Sequence, residues 1–371
     1  MEKIRENNID LLKMICCISV IIIHASARYC TMAVNEGANI YNEGIFFSNL
    51  MNCITRFAVP CFVMIAGGFE LSKKVSYKEF YKKKLKSIVL PTLIFSILYT
   101  GYYISKTIAL SVKNGTGMPI EDIIQTLLNF VMGRSSYHMW YLYMMLFIYL
   151  ITPVLNSIKE KIGDINFKKL GIVLLIISIP FAITSTHKFN YDIGFSIYYL
   201  GYYILGYAIK SSITKKSNKN FIKYFAIAIT ILFINSFFRL YIINQGMTDD
   251  EYQIPFIGKF SPIDNFSISI VIASILIYKA FIYLDFKIDI SNIAKYSLYI
   301  YLIHIFVLDI IYIFVFNKPH IPYIEIPIAT IIVFFSSLLL SKIYLLIYRK
   351  IDNKIHIENK FCNIINRLSS N

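Results

Sequence analysis

The sequence predicts an all-α polytopic membrane protein, a bundle of about ten transmembrane helices with both termini in the cytoplasm. Three observations lead there. Of 371 residues, 57% are hydrophobic and 16% charged, whereas soluble domains carry charge on nearer a quarter of their positions. The apolar residues fall into blocks of about 17 to 25, the length a helix needs to cross the hydrocarbon layer. Lysine and arginine concentrate in alternate connecting segments, as the positive-inside rule requires.

The first block, 9–27, is apolar apart from Asp10, Lys13, His24 and small polar residues. It has no small-residue cleavage pattern and leads straight into further spans, so it reads as a retained helix. The second, 45–71, contains Arg56 and Pro60. A basic segment follows, with Lys73, Lys74, Lys78, Lys82, Lys83, Lys84 and Lys86. The third block is 88–112. After it, Ile120, Ile123, Ile124, Leu127, Leu128 and Val131 recur at helical spacing opposite Glu121, Asp122, Gln125 and Asn129, which predicts an amphipathic helix on the outer interface. The fourth block, 138–157, opens with His138 and the single tryptophan, Trp140. The fifth and sixth are 170–186 and 192–212, preceded and followed by lysine-rich segments. The seventh, 220–243, carries Asn235 and Arg239 one turn apart. A polar loop, 244–262, with Asp249, Asp250 and Glu251 leads to the eighth block, 263–284. The ninth, 295–317, contains His304, and the tenth is 325–348. This divides the chain into a transmembrane domain, 1–350, and a short basic cytoplasmic tail, 351–371.

The net charge of +15 therefore records topology and contact with anionic lipid, and argues against a nucleic-acid partner. The six cysteines lack metal-ligand or disulfide spacing and read as small apolar fillers. There is no glycine-rich phosphate loop, nucleophile elbow or zinc-type histidine pattern, so no metal is expected.

Ionisable groups at membrane depth are expensive and usually functional. Lys13 and His24 lie about three helical turns apart, which puts both on one face, roughly 16 Å apart along the axis. A buried neutral imidazole at His24 suits a general base; a hydrogen-bonded core histidine fits the residue type equally well. Lys13 either snorkels to the headgroups or offers a fixed charge to an anionic ligand, and Asp10 is placed to pair with it. The Phe80, Lys82 and Lys83 cluster is ordinarily a topology signal, although rings beside ammoniums also suit a phosphorylated nucleotide. His138, Trp140 and Arg56 are candidates for a polar outer substrate, or interfacial residues with no such role. His304 reads as a buried hydrogen-bonded residue or a substrate contact. His187, His320 and His356 receive no role.

Together these pieces resemble the acyltransferase-3 family of integral membrane acyltransferases. Asp10, Lys13 and His24 fit the pattern of its first helix, and Arg56 to Gly68 its arginine-proline signature, with Ala66 where serine is common. Ser76, Phe80, Lys82 and Lys83 fall on its inner-loop motif, with Ser76 in place of a basic residue. His138-Met139-Trp140 resembles its His-x-Trp element, and Ser297 to His304 its Ser-Tyr-x-x-Tyr-Leu-x-His element, with Leu298 at a usual tyrosine.

The resemblance implies a bacterial plasma-membrane O-acyltransferase. The donor would be cytoplasmic acyl-CoA, usually acetyl-CoA, acting as co-substrate with no permanently bound cofactor. The acceptor would be a hydroxyl on a surface glycan or its lipid-linked precursor. His24 and Lys13 would be catalytic, Lys82, Lys83 and Phe80 would meet the donor, and His138, Trp140, Arg56 and His304 would meet substrate. Some relatives are assigned to export or uptake, so a polysaccharide exporter or small-molecule transporter of the same fold is the rival expectation. Self-association into a homo-oligomer is left open.

Overall fold

A computed structural model describes residues 6–35, 43–73, 76–184, 195–245, 253–254, 258–259, 261–316 and 321–355. The helices are α1 (Asn7–Asn35), α2 (Glu43–Ile54), α3 (Ala58–Glu70), α4 (Tyr77–Lys84), α5 (Leu90–Asn114), α6 (Ile120–Val131), α7 (Trp140–Ile162) and α8 (Asp164–Thr184). They continue as α9 (Phe195–Tyr198), α10 (Leu200–Ser212), α11 (Asn218–Asn244), α12 (Ile268–Tyr283), α13 (Ser291–Ala294), α14 (Ser297–Phe314) and α15 (Pro322–Ile355). Among the described residues the fold is helical but for one antiparallel ribbon of two short strands, β1 (Gln253–Ile254) with β2 (Gly258–Lys259), inside the segment expected to be a polar loop. The acidic residues 249–251, and His187, His320 and His356, lie outside the described residues.

Seven spans among the described residues are long and apolar enough to cross a bilayer: Asn7–Thr31, Gly44–Glu70, Tyr77–Asn114, Trp140–Ile162, Asn218–Asn244, Ser297–Phe314 and Pro322–Asn353. The other three apolar blocks correspond to α8, to α9 and α10 interrupted at Tyr199, and to the 16-residue α12. Many large apolar side chains stay exposed, including Leu150, Ile234, Phe335 and Leu346, as lipid-facing helices require.

Two proline positions explain departures from regular α-helix. The second block divides at a turn over residues 55–57, because Pro60 has no N–H to offer the carbonyl of Arg56 four residues back. Arg56 N instead reaches Cys53 O at 3.3 Å, and Ala58 N reaches Thr55 O at 3.2 Å. Pro91 likewise denies Ser87 its partner, and the chain there is a π-helical turn, Leu85–Val89, in which Leu90 N donates to Leu85 O.

The chain forms two compact units. The first comprises Met1–Lys73, Lys159–His187 and Tyr198–Leu346. Within it α3 and α10 pack with almost no gap. A Cβ placed on Gly67 would lie 1.8 Å from the Tyr203 carbonyl oxygen, and one on Gly206 would lie 2.0 Å from that of Met64. Lipid tails supply no hydrophobic drive between helices, so association rests on such close backbone approach. The second unit comprises Lys74–Ile158, Lys188–Ile197 and Ile347–Asn371. It contains α6, whose Ile120, Ile124, Leu127, Leu128 and Val131 are all exposed, the apolar face expected of a helix lying along a bilayer surface.

Candidate active site

In the first unit, α1 carries His24 and α14 carries His304, and the two rings lie 5.3 Å apart between centroids at a 36° tilt. His24 therefore faces another helix. His304 is fully buried, and its Nδ1 lies 2.5 Å from the Tyr301 carbonyl oxygen. A carbonyl only accepts, so Nδ1 is the donor in this contact.

Arg56 lies in the turn between α2 and α3. Arg56 donates from Nε at 3.0 Å and from Nη2 at 2.5 Å to Asn52 Oδ1. Asn52 lies four residues earlier, in the last turn of α2. Arg239 of α11 is buried and turned inward, donating from Nη1 to Asn52 Oδ1 at 3.3 Å, Asn49 Oδ1 at 3.5 Å and Cys30 Sγ at 3.6 Å. Asn235 ties α11 to the following segment by donating to Pro262 O at 2.9 Å and accepting from Ser269 Oγ at 2.7 Å. Sequence reasoning named both arginines but missed Asn49 and Asn52. Their signal was available: 49, 52 and 56 follow i, i+3, i+7 spacing and form one polar stripe in an apolar span.

Beyond His24, the end of α1 is fastened to α14 and α15. Arg28 stacks on Tyr312 at 4.6 Å and donates to Phe316 O at 2.9 Å. Tyr312 Oη donates to Ala25 O at 2.9 Å, and Tyr29 donates to the buried carboxylate of Glu325.

At the other end of α1, Lys13 pairs with Asp10 at 2.9 Å and sits 5.3 Å from the Phe69 ring centroid. Lys210 lies 3.9 Å from that same centroid and pairs with Glu6 at 2.6 Å. Nearby connecting segments are also basic. Lys168 and Tyr207 beside Asp164 hold its carboxyl below the usual carboxylate range, and burial pulls Lys216 below the usual lysine range while its Nζ donates to Ile282 O.

In the second unit, Lys82 is half-buried and Lys83 exposed. Phe80 is buried and edge-on to Tyr81, with Lys84 beside it, so its ring is engaged within the unit. Buried Lys84 lies 3.7 Å from the centroid of Tyr149. His138 is buried, with Nδ1 3.1 Å from Ser136 Oγ, which lies 3.1 Å from Tyr103 Oη; Tyr99 meets the imidazole edge-on at 5.0 Å. Trp140 is half-buried and edge-on to Tyr141.

The acyltransferase-3 family model, described as an acyltransferase domain, matches residues 6–345. The chain belongs to the acyltransferase-3 family. No curated protein and no solved structure shows significant similarity to it. The family match covers α1 through most of α15, so the His24, Arg56 and His304 cluster and the His138 cluster both fall inside the acyltransferase domain.

Proposed function

We propose that this acyltransferase-3 protein is a bacterial plasma-membrane O-acyltransferase, moving an acyl group, in the simplest case acetyl, from acyl-CoA to a glycan or lipid-linked sugar hydroxyl. The observation that carries the reading is the His24 and His304 ring pair, with Arg56 tied through Asn52 to the same α1 turn, inside the first unit of an acyltransferase-family chain. In the direct form of the reaction His24 takes the proton of the acceptor hydroxyl as its oxygen attacks the thioester carbonyl. The tetrahedral adduct collapses, the C–S bond breaks, and the imidazolium returns its proton to the CoA thiolate. Arg56 supplies positive charge where the oxyanion develops. The alternative form passes the acyl group through a transient acyl-His24.

Orientation by the positive-inside rule puts the Lys13 end of α1 and the Lys82, Lys83 segment on the cytoplasmic side, where they draw in the polyanionic donor. Lys82→Glu with Lys83→Glu is expected to raise KM for acetyl-CoA about tenfold with kcat unchanged, since steering charges act on encounter and not on the chemical step. The test of the reading is incubation of the purified protein in nanodiscs with labelled acetyl-CoA and extracted lipid-linked glycans. Label on a glycan supports it; label remaining on CoA with every acceptor offered contradicts it.

A further inference from the structure

We propose that Asn52 is a positioning residue for acyl transfer, tying Arg56 to the α1 turn that carries His24 through a neutral amide. The inference rests on the transferase reading above.

Asn52 is fully buried, and each end of its amide has a distinct set of partners. Oδ1 accepts from Nε and Nη2 of Arg56 and from Nη1 of Arg239. Nδ2 donates to the Ile23 carbonyl oxygen at 3.0 Å and to Ser26 Oγ at 2.9 Å. Guanidinium groups only donate and a carbonyl only accepts, so this geometry permits one orientation of the amide. Ile23 immediately precedes His24, and Ser26 lies half a turn beyond it. One side chain thus clamps the α1 turn that carries the imidazole and fixes the Arg56 guanidinium to that same turn.

The neutrality of the bridge matters as much as its shape. A carboxylate at 52 would still bind both arginines, by stronger charge-assisted bonds. It would also cancel positive charge beside His24 and turn an oxygen toward the Ile23 carbonyl. A purely structural hub would exchange two Nδ2 bonds for stronger bonds to the arginines, whereas a hub that keeps Arg56 available to a developing oxyanion would also lose activity.

The experiment compares wild type, Asn52→Asp, Arg56→Ala and the double variant by label transfer from acetyl-CoA, with melting temperature followed alongside. Asn52→Asp is expected to stay folded, with stronger bonds to the arginines set against the two lost Nδ2 bonds, to keep KM for acetyl-CoA within about twofold, and to lose kcat on the order of 10²-fold, the scale for removing one stabilising donor. In the Arg56→Ala background the same substitution should cost at least about tenfold less in kcat than in wild type, because the part that acts through Arg56 is already gone and only the loosened α1 turn remains. If Asn52→Asp does not fold, Arg56→Lys tests the same link. Lysine keeps the charge but cannot make the Nε and Nη2 fork, and a similar kcat loss is expected. Near-normal kcat in Asn52→Asp or Arg56→Lys, or an undiminished Asn52→Asp effect without Arg56, overturns the inference. A transferring wild type with an inactive His24→Ala shows that such a failure belongs to Asn52. A wild type that transfers nothing removes the transferase reading and this role with it.

Discussion

Replacing His24 with alanine is expected to lower acyl transfer by about 10³-fold, within the range for loss of a general base, while KM for acetyl-CoA changes little. The donor is drawn in by basic segments that do not include this residue, so uniform binding is untouched and the loss appears in kcat. Stability should change only slightly. His24 is half-buried, its ring lies against that of His304, and the α1 backbone around it is held independently through Ile23 and Ala25. A melting temperature within a few degrees of wild type is therefore expected alongside the lost activity. Glutamine at 24 keeps polarity without a titrating nitrogen, so it should be as inactive as alanine.

The second large effect is on folding. Gly67→Ala is expected to destabilise by about 3 kcal/mol or more, beyond the usual range for an overpacked core. The added carbon would meet the Tyr203 carbonyl oxygen at 1.8 Å and its carbonyl carbon at 2.6 Å. Backbone cannot rotate aside as a side-chain tip can, so α3 and α10 must separate. Gly206→Ala should do the same from the opposite helix, through Met64. Gly101 is the control. It lies in α5, and a methyl group added there would have nothing within 4 Å, so Gly101→Ala should be neutral or stabilising by about 0.5–1 kcal/mol through helix propensity. Detergent-solubilised protein unfolded by heat separates the two cases.

What could be read from the sequence was what local spacing determines. The Asp10 and Lys13 pair follows from i, i+3 geometry, and the amphipathic α6 from its periodicity. Apolar blocks located nearly all the long helices, since length and hydropathy are properties of a segment alone. The breaks at residues 55–57 and at Tyr199 were not anticipated, because a continuous apolar run conceals where a backbone hydrogen bond is lost. Pro60 was the available clue to the first. His24 was singled out by its own chemistry, but its approach to His304 joins positions 280 apart and belongs to helix packing. Asn49 and Asn52 escaped notice because uncharged amides in an apolar span stand out less than arginine or histidine, yet they are where the two arginines converge.

The measurement that tests the central claim most directly counts two products in sealed proteoliposomes supplied with labelled acetyl-CoA and a lipid-linked glycan. Free CoA thiol and acceptor-bound label are followed over the same time course. One thiol released for each acyl group found on the glycan, with both absent in His24→Ala, is the predicted result. Movement of glycan or solute across the bilayer with no thiol released would contradict it.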